Sequence, residues 1–221
     1  MAAPASKRRP RAAPASAASP REQASRERIQ QAALRLFALR GYEAASLQMI
    51  ADEVGLHKST LFHHYGSKLE IVDDVLTGII EHILGWVGAV KAQDPPELGA
   101  FLSAIDELVD YFADRPEAAR LLVVCMTAPQ DSELSRAGSA ERVIEFYAGL
   151  STWLDRARKT GAIAKVSIRQ TIPNLMGLML MYPATAMDLA ALVGEEPFSA
   201  RARQVRKREL SAMLRGLLEP K

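Results

Sequence analysis

Apolar side chains recur every three to four residues along most of this chain, which is the spacing of amphipathic helices. The clearest stripe lies near the C-terminus, at Leu210, Met213, Leu214, Leu217 and Leu218. The sequence shows no strand-like alternation of apolar and polar residues and no internal repeat. The pattern therefore predicts an all-α fold of about nine helices.

Three helices are predicted in the first third of the chain. Their predicted ranges are residues 21–40, 47–53 and 58–65. Gly41 ends the first helix, Ser46 is a candidate N-cap of the second, and Gly55 supplies a turn before the third. The apolar positions of the third helix, which we expect to face inward, are Leu61, Phe62 and Tyr65.

A long helix should follow, because Ser67 and Glu70 have the spacing of a capping box. Pro95 and Pro96 interrupt the chain after it. The remaining helices are expected from about residue 98 to residue 218. Residues 170–187 carry no charge, but they contain two prolines and several polar residues, so we interpret this segment as a buried helix rather than a membrane span.

Charge is distributed unevenly along the 221 residues. The net charge is +2, yet residues 1–70 carry 11 basic and 6 acidic residues, and the remainder has a net charge of −3. This asymmetry indicates that an anionic partner would meet the N-terminal part. Residues 1–20 are almost entirely Ala, Pro, Ser, Arg and Lys, which predicts a disordered basic tail. It is either a solvated tail or an arm that strengthens polyanion binding.

The single cysteine, Cys125, excludes an intrachain disulfide and fits a reducing compartment. The N-terminus has no apolar segment of the kind that a secretory signal contains. We therefore expect a cytoplasmic protein.

The densest group of candidate functional side chains lies in residues 57–68, HKSTLFHHYGSK. A metal site is disfavoured because His63 and His64 are neighbours, about 100° apart around a helix, and His57 is two turns from His64. We find no nucleophile paired with a base and no glycine-rich phosphate loop. The sequence thus predicts neither an enzyme nor a cofactor.

Two short helices joined by a tight turn are the parts of a helix-turn-helix, whose second helix enters the major groove of DNA. The outward face of the second helix offers hydrogen-bond donors at Lys58, Ser59, Thr60, His63 and His64. No acidic residue occurs between residues 54 and 69, as contact with DNA requires.

Residues 26–76, RERIQQAALRLFALRGYEAASLQMIADEVGLHKSTLFHHYGSKLEIVDDVL, resemble the DNA-binding domain of the TetR family of bacterial transcriptional regulators. The resemblance implies base contacts or phosphate contacts from Ser46 and Gln48, base readout by Lys58, Ser59, Thr60 and His63, and backbone contacts by His64 and Lys68. Phe62 stands where the family usually has Tyr, so one phosphate contact would be lost while the ring stays buried. His57 replaces a small capping residue and could itself reach a phosphate.

The resemblance also implies a homodimer formed by the last two helices, a palindromic operator in double-stranded DNA, and a cavity for a small-molecule effector. The candidate cavity residues are Trp86, Phe101, Phe112, Cys125, Met126, Phe146, Tyr147, Trp153, Met176, Met179 and Tyr182. Because this set contains few charges, we expect an uncharged, lipophilic or aromatic effector. Repression is the commoner mode in the family.

The expected domains are therefore the disordered tail over residues 1–20, a helix-turn-helix DNA-binding domain over 21–66, and a helical ligand-binding and dimerisation domain over 67–221. Two alternatives are an enzyme, for which no motif is found, and a ligand-binding or protein-interaction module that has lost DNA binding. The salt dependence of DNA affinity separates the second alternative from a regulator.

Overall fold

The computed structural model describes residues 19–138, 140–193 and 196–220. Most of the predicted basic tail, residues 1–18, lies outside the described residues. The described part folds into nine α-helices and one short 3₁₀ helix, without strands. The helices are α1 (Pro20–Arg40), α2 (Leu47–Val54), α3 (Lys58–His64), α4 (Lys68–Lys91), α5 (Leu98–Asp114), α6 (Pro116–Met126), the 3₁₀ helix (Leu134–Arg136), α7 (Ala140–Thr160), α8 (Ile168–Val193) and α9 (Ala200–Leu218).

Side-chain caps fix the starts of several helices. The Ser46 hydroxyl accepts a hydrogen bond from the Met49 amide at 3.2 Å, and the Ser67 hydroxyl accepts one from the Glu70 amide at 3.1 Å. The Glu70 carboxylate accepts from the amide of Gly66 at 2.7 Å, one residue before the expected partner. Capping therefore sets where α2 and α4 begin.

The first three helices enclose a small apolar core. Ile29 and Phe37 of α1, Ile50 of α2 and Leu61 of α3 are fully buried within it. Gly55 ends α2 at φ +69°, a left-handed conformation that favours glycine, and the chain then turns into α3. These contacts hold α3 against α1 and α2 as a helix-turn-helix.

The prediction that Phe62 is buried is wrong. Its ring is 46% exposed, and the Lys58 ammonium lies 5.8 Å from the ring centroid. Leu61 of α3 and Tyr65, the residue that follows the helix, are buried and already fill the inward side of this segment. Phe62 is turned about 100° from Leu61 and joins the outward face.

A polar junction attaches this domain to α4. The Asp74 carboxylate accepts hydrogen bonds from the Tyr65 hydroxyl at 2.6 Å, the Gln30 amide at 2.8 Å and the Arg26 guanidinium at 2.9 Å. The Arg26 guanidinium also stacks over the Tyr65 ring. Burial raises the pKa of Asp74, but these three hydrogen bonds outweigh it, and the pKa is lowered.

Helices α4–α9 form the second part of the molecule. Helix α8 packs chiefly on α6, α7 packs on α4, and α5 packs on α9. Ion pairs between Lys207 and Asp110 and between Arg203 and Asp114, both at 2.6 Å, fasten α9 to α5. Residues 168–192 of α8 have the length and hydropathy of a membrane span. In this fold α8 packs against α5, α6 and α7, and 33% of its most apolar window is buried.

Candidate nucleic-acid interface and ligand cavity

The outward face of α3 presents several of the residues that the sequence singled out. Lys58, Ser59 and His63 are exposed, while Thr60 and His64 are half-buried. His57 precedes the helix, is exposed, and makes no side-chain cap bond. Because no acidic residue lies between residues 54 and 69, this face combines donors with positive charge.

Two further candidates lie at the start of α2. Ser46 and Gln48 are both exposed. The Ser46 hydroxyl is engaged as the N-cap, and the Gln48 amide donates to the Asp52 carboxylate at 2.7 Å. These bonds orient both side chains at the N-terminal turn of α2, and a DNA contact by Gln48 would compete with its bond to Asp52.

Lys68 has partners within the protein. Its ammonium donates to the carbonyl oxygens of Tyr42 at 2.9 Å and Ala45 at 3.2 Å, and it lies 4.1 Å from the centroid of the Tyr42 ring. An ammonium has three N–H groups, so two are used in joining α4 to the loop after α1. The predicted phosphate contact of Lys68 would use the remaining one.

A large cavity lies among α4–α8. Its volume is about 450 Å³, and α4 contributes Leu76, Ile80, Ile83 and Trp86 to its wall. Predicted residues that line it are Trp86, Phe112, Cys125, Met126, Phe146, Tyr147, Met176 and Met179. Burial raises the pKa of the Cys125 thiol to about 12, so this cysteine is protonated and serves as an apolar wall residue.

Three predicted cavity residues lie elsewhere. Phe101 and Trp153 are fully buried and stack on each other with ring centroids 4.4 Å apart, so they belong to the core between α5 and α7. Tyr182 borders a much smaller cavity against α9, and its hydroxyl donates to the Pro197 carbonyl at 3.1 Å. None of the three lines the 450 Å³ cavity.

Arg142, which the sequence pattern did not single out, also lines the cavity. Arg142, Phe146 and Leu150 are four residues apart along α7 and all three face the cavity. That spacing was the available signal, since it places them on one side of a helix. Several aliphatic wall residues were missed because apolar helix positions resemble ordinary core.

Hydrogen bonds connect the cavity wall to the helix-turn-helix part. The loop after the 3₁₀ helix contributes Ala137 and Gly138 to the wall. The Gly138 amide donates to the Asp73 carboxylate of α4 at 2.7 Å, and the Tyr42 hydroxyl donates to the Glu133 carboxylate at 2.8 Å. The same segment therefore touches the cavity, α4 and the loop after α1.

This arrangement defines a helix-turn-helix module joined by a long helix to a helical domain with a cavity. Residues 29–75 match the family described as "Bacterial regulatory proteins, tetR family". This N-terminal part of the chain, from α1 to the start of α4, therefore resembles the DNA-binding domain of that family.

One curated relative is the HTH-type transcriptional repressor KstR2 of Rhodococcus jostii, which is 40% identical over 50 residues. The match covers 23% of this chain and 24% of that protein. The aligned segment therefore spans only about a quarter of that relative's length.

Two solved structures share the fold over nearly the whole chain. The ketosteroid transcriptional regulator KstR2 of Mycobacterium tuberculosis has a TM-score of 0.69 at 17% identity, covering 88% of this chain and 95% of that one. AibR in complex with isovaleryl coenzyme A and operator DNA has a TM-score of 0.68 at 16% identity, covering 89% and 99%. At these identities the likeness establishes the all-α fold.

Proposed function

We propose that this protein is a cytoplasmic, sequence-specific DNA-binding transcriptional regulator, a repressor released from its operator by a small lipophilic effector. The observation that carries the proposal is the exposed, acid-free face of α3 on a helix-turn-helix. The relatives' names support it, since the KstR2 of Rhodococcus jostii is a transcriptional repressor.

On DNA, α3 would lie in the major groove with its N-terminal turn toward the bases. Lys58, Ser59, Thr60 and His63 would read base edges, with Lys58 suited to guanine. The contacts to phosphates would come from His57, His64 and Lys68, while Ser46 and Gln48 would face phosphates or bases. The exposed Phe62 ring adds an apolar surface beside Lys58, suited to contact with a thymine methyl group.

A homodimer would form through α8 and α9. In α9, Leu210, Leu214 and Leu218 are buried within the chain, whereas Met213 and Leu217 are 54% and 41% exposed. Helix α8 also exposes Met181, Met187 and Leu189. Such apolar surface on two adjacent helices supports pairing with a second copy. Two recognition helices about 34 Å apart would then require a palindromic operator.

The effector would occupy the 450 Å³ cavity, whose volume is that of a small-molecule site and whose wall is mainly aliphatic and aromatic. Two names of fold neighbours fit this assignment, one a ketosteroid regulator and the other a complex with isovaleryl coenzyme A. Because α4 contributes both cavity wall and the Asp74 junction, an effector that shifts α4 would move α3. The effector then lowers DNA affinity by its preference for the shifted state.

Salt dependence of DNA binding tests the proposal. Fluorescence anisotropy with a random-sequence duplex should give an affinity that falls steeply as salt rises, because phosphate contacts release counterions. Binding that is undetectable at low salt, or insensitive to salt, would contradict a DNA-binding role and favour a module that has lost it.

A further inference from the structure

The cavity wall contains one charged side chain among the described residues, Arg142. Its neighbours on the wall include Ile80, Val143 and Phe146. A charged group in a mainly apolar pocket fixes the orientation of a ligand and selects its polar end. Arg142 is therefore the residue whose contacts decide what class of ligand the cavity accepts.

Arg142 is held against α4 from the first turn of α7. One terminal nitrogen, Nη2, pairs with the Glu81 carboxylate at 3.1 Å, and Nη1 donates to the Thr77 carbonyl at 3.3 Å. The Arg142 side chain is 29% exposed, whereas Glu81 is 61% exposed. A guanidinium has five N–H donors, so these two contacts leave donors for a ligand.

A ligand can take the place of Glu81 in its ion pair with Arg142. An ion pair with so exposed a carboxylate contributes little free energy. When a ligand fills the cavity it displaces water from Arg142, and a guanidinium that loses water requires an acceptor. An uncharged apolar ligand supplies none, whereas a carboxylate accepts two parallel hydrogen bonds from a guanidinium.

We propose that the effector is an amphiphile with an apolar body and a single anionic group, and that Arg142 binds the anionic group in competition with Glu81. This inference rests on the proposal that the cavity holds the effector. It replaces the uncharged effector that the sequence led us to expect. The apolar body lies along the wall formed by α4 and α8, toward Phe112 and Met179.

The test compares saturated carboxylates of about 8 to 14 carbons, chosen to suit a pocket of this size, with the corresponding primary alcohols. Binding to the full chain is measured by calorimetry below the critical micelle concentrations. At least one carboxylate should bind about tenfold or more tightly than its alcohol, as charge-assisted hydrogen bonds predict.

Two variants separate ligand recognition from bracing of the helices. Arg142→Gln should weaken carboxylate binding about tenfold and change alcohol binding by less than about twofold. Glu81→Gln removes the competitor and should tighten carboxylate binding about two- to fivefold. If the pair only braced α4 against α7, the two variants would act in the same direction.

Arg156→Gln is the matched control. Arg156 also lies on α7, donates to the Lys91 carbonyl at 3.1 Å and pairs with Asp94 at 2.8 Å, but it does not line the cavity. It should leave the carboxylate preference unchanged. Equal or tighter binding of the alcohols, or no binding of any carboxylate, would overturn the inference. Either result leaves DNA binding by the unliganded protein intact, so it is distinct from failure of the proposed function.

Discussion

Replacing Asp74 by Ala should destabilise the junction between the DNA-binding part and α4. The Tyr65 residue is 1% exposed, and its hydroxyl has the Asp74 carboxylate as its hydrogen-bond acceptor at 2.6 Å. Leaving that hydroxyl without an acceptor costs about 1–3 kcal/mol. Arg26 and Gln30 are less buried, so water replaces part of what they lose, and the expected total is about 3 kcal/mol.

Asp73→Ala is the matched control, because the neighbouring residue has the same chemistry and the same gain in helix propensity. Asp73 is exposed and accepts one hydrogen bond, from Gly138. Its replacement should cost about 1 kcal/mol or less. The assay is urea unfolding followed by circular dichroism. A cost for Asp74→Ala no larger than that for Asp73→Ala would refute the assigned role of the junction.

The effect of Asp74→Ala on stability should depend on pH. Because the pKa of Asp74 is lowered in the folded protein, the unfolded chain binds more protons than the folded chain at pH values around and between the two pKa values. The stabilisation is complete above the pKa of Asp74 in the unfolded chain, about 3.9, and is lost as pH falls through the lower folded value. The difference in stability between the wild type and Asp74→Ala should therefore be full at neutral pH and shrink below about pH 4. A difference independent of pH would contradict an ionised Asp74.

Three further predictions concern regulation, assembly and DNA contact. Tyr42→Phe removes the hydrogen bond to Glu133 but keeps the ring beside Lys68. DNA affinity without effector should therefore stay within about threefold of the wild type, while the effect of the effector on that affinity should decrease. Anisotropy titrations with and without effector measure both quantities. Met213→Glu places a charge on the exposed face of α9, so it should convert the proposed dimer to a monomer in sedimentation. The control Leu39→Glu, on an exposed site of α1, should leave the dimer intact, and a dimeric Met213→Glu would exclude this face. Lys58→Ala should weaken binding to the operator by about 1–3 kcal/mol if Lys58 reads a base, and unchanged affinity would remove that assignment.

Helix boundaries were predictable because local signals determine them. Ser46, Gly55 and Ser67 act where the sequence placed them, through caps and a left-handed turn. The exposure of Phe62 was not predictable from the apolar pattern alone, since the pattern does not show that Leu61 and Tyr65, just after the helix, already fill the inward side. The all-α architecture likewise followed from a helical period sustained over the described chain.

The cavity was only partly predictable. An apolar residue on the inward side of a helix meets either another helix or a void, and the sequence pattern is the same in both cases. Phe101 and Trp153 pack on each other, while Phe112 and Phe146 border the void, although all four are aromatic residues on amphipathic helices. The partners of Lys68 were equally hidden, because its acceptors lie more than 20 residues away in a loop.

The most direct test of the central claim is selection of genomic DNA fragments by the purified wild-type protein, beside Lys58→Ala and the control Lys165→Ala. Lys165 is an exposed lysine between α7 and α8, far in sequence from the helix-turn-helix, so its loss matches the charge change. We predict that the wild type and Lys165→Ala recover the same palindromic sequence and that Lys58→Ala does not. Recovery of no common sequence by the wild type, or of the same palindrome by Lys58→Ala, would contradict recognition of DNA through α3.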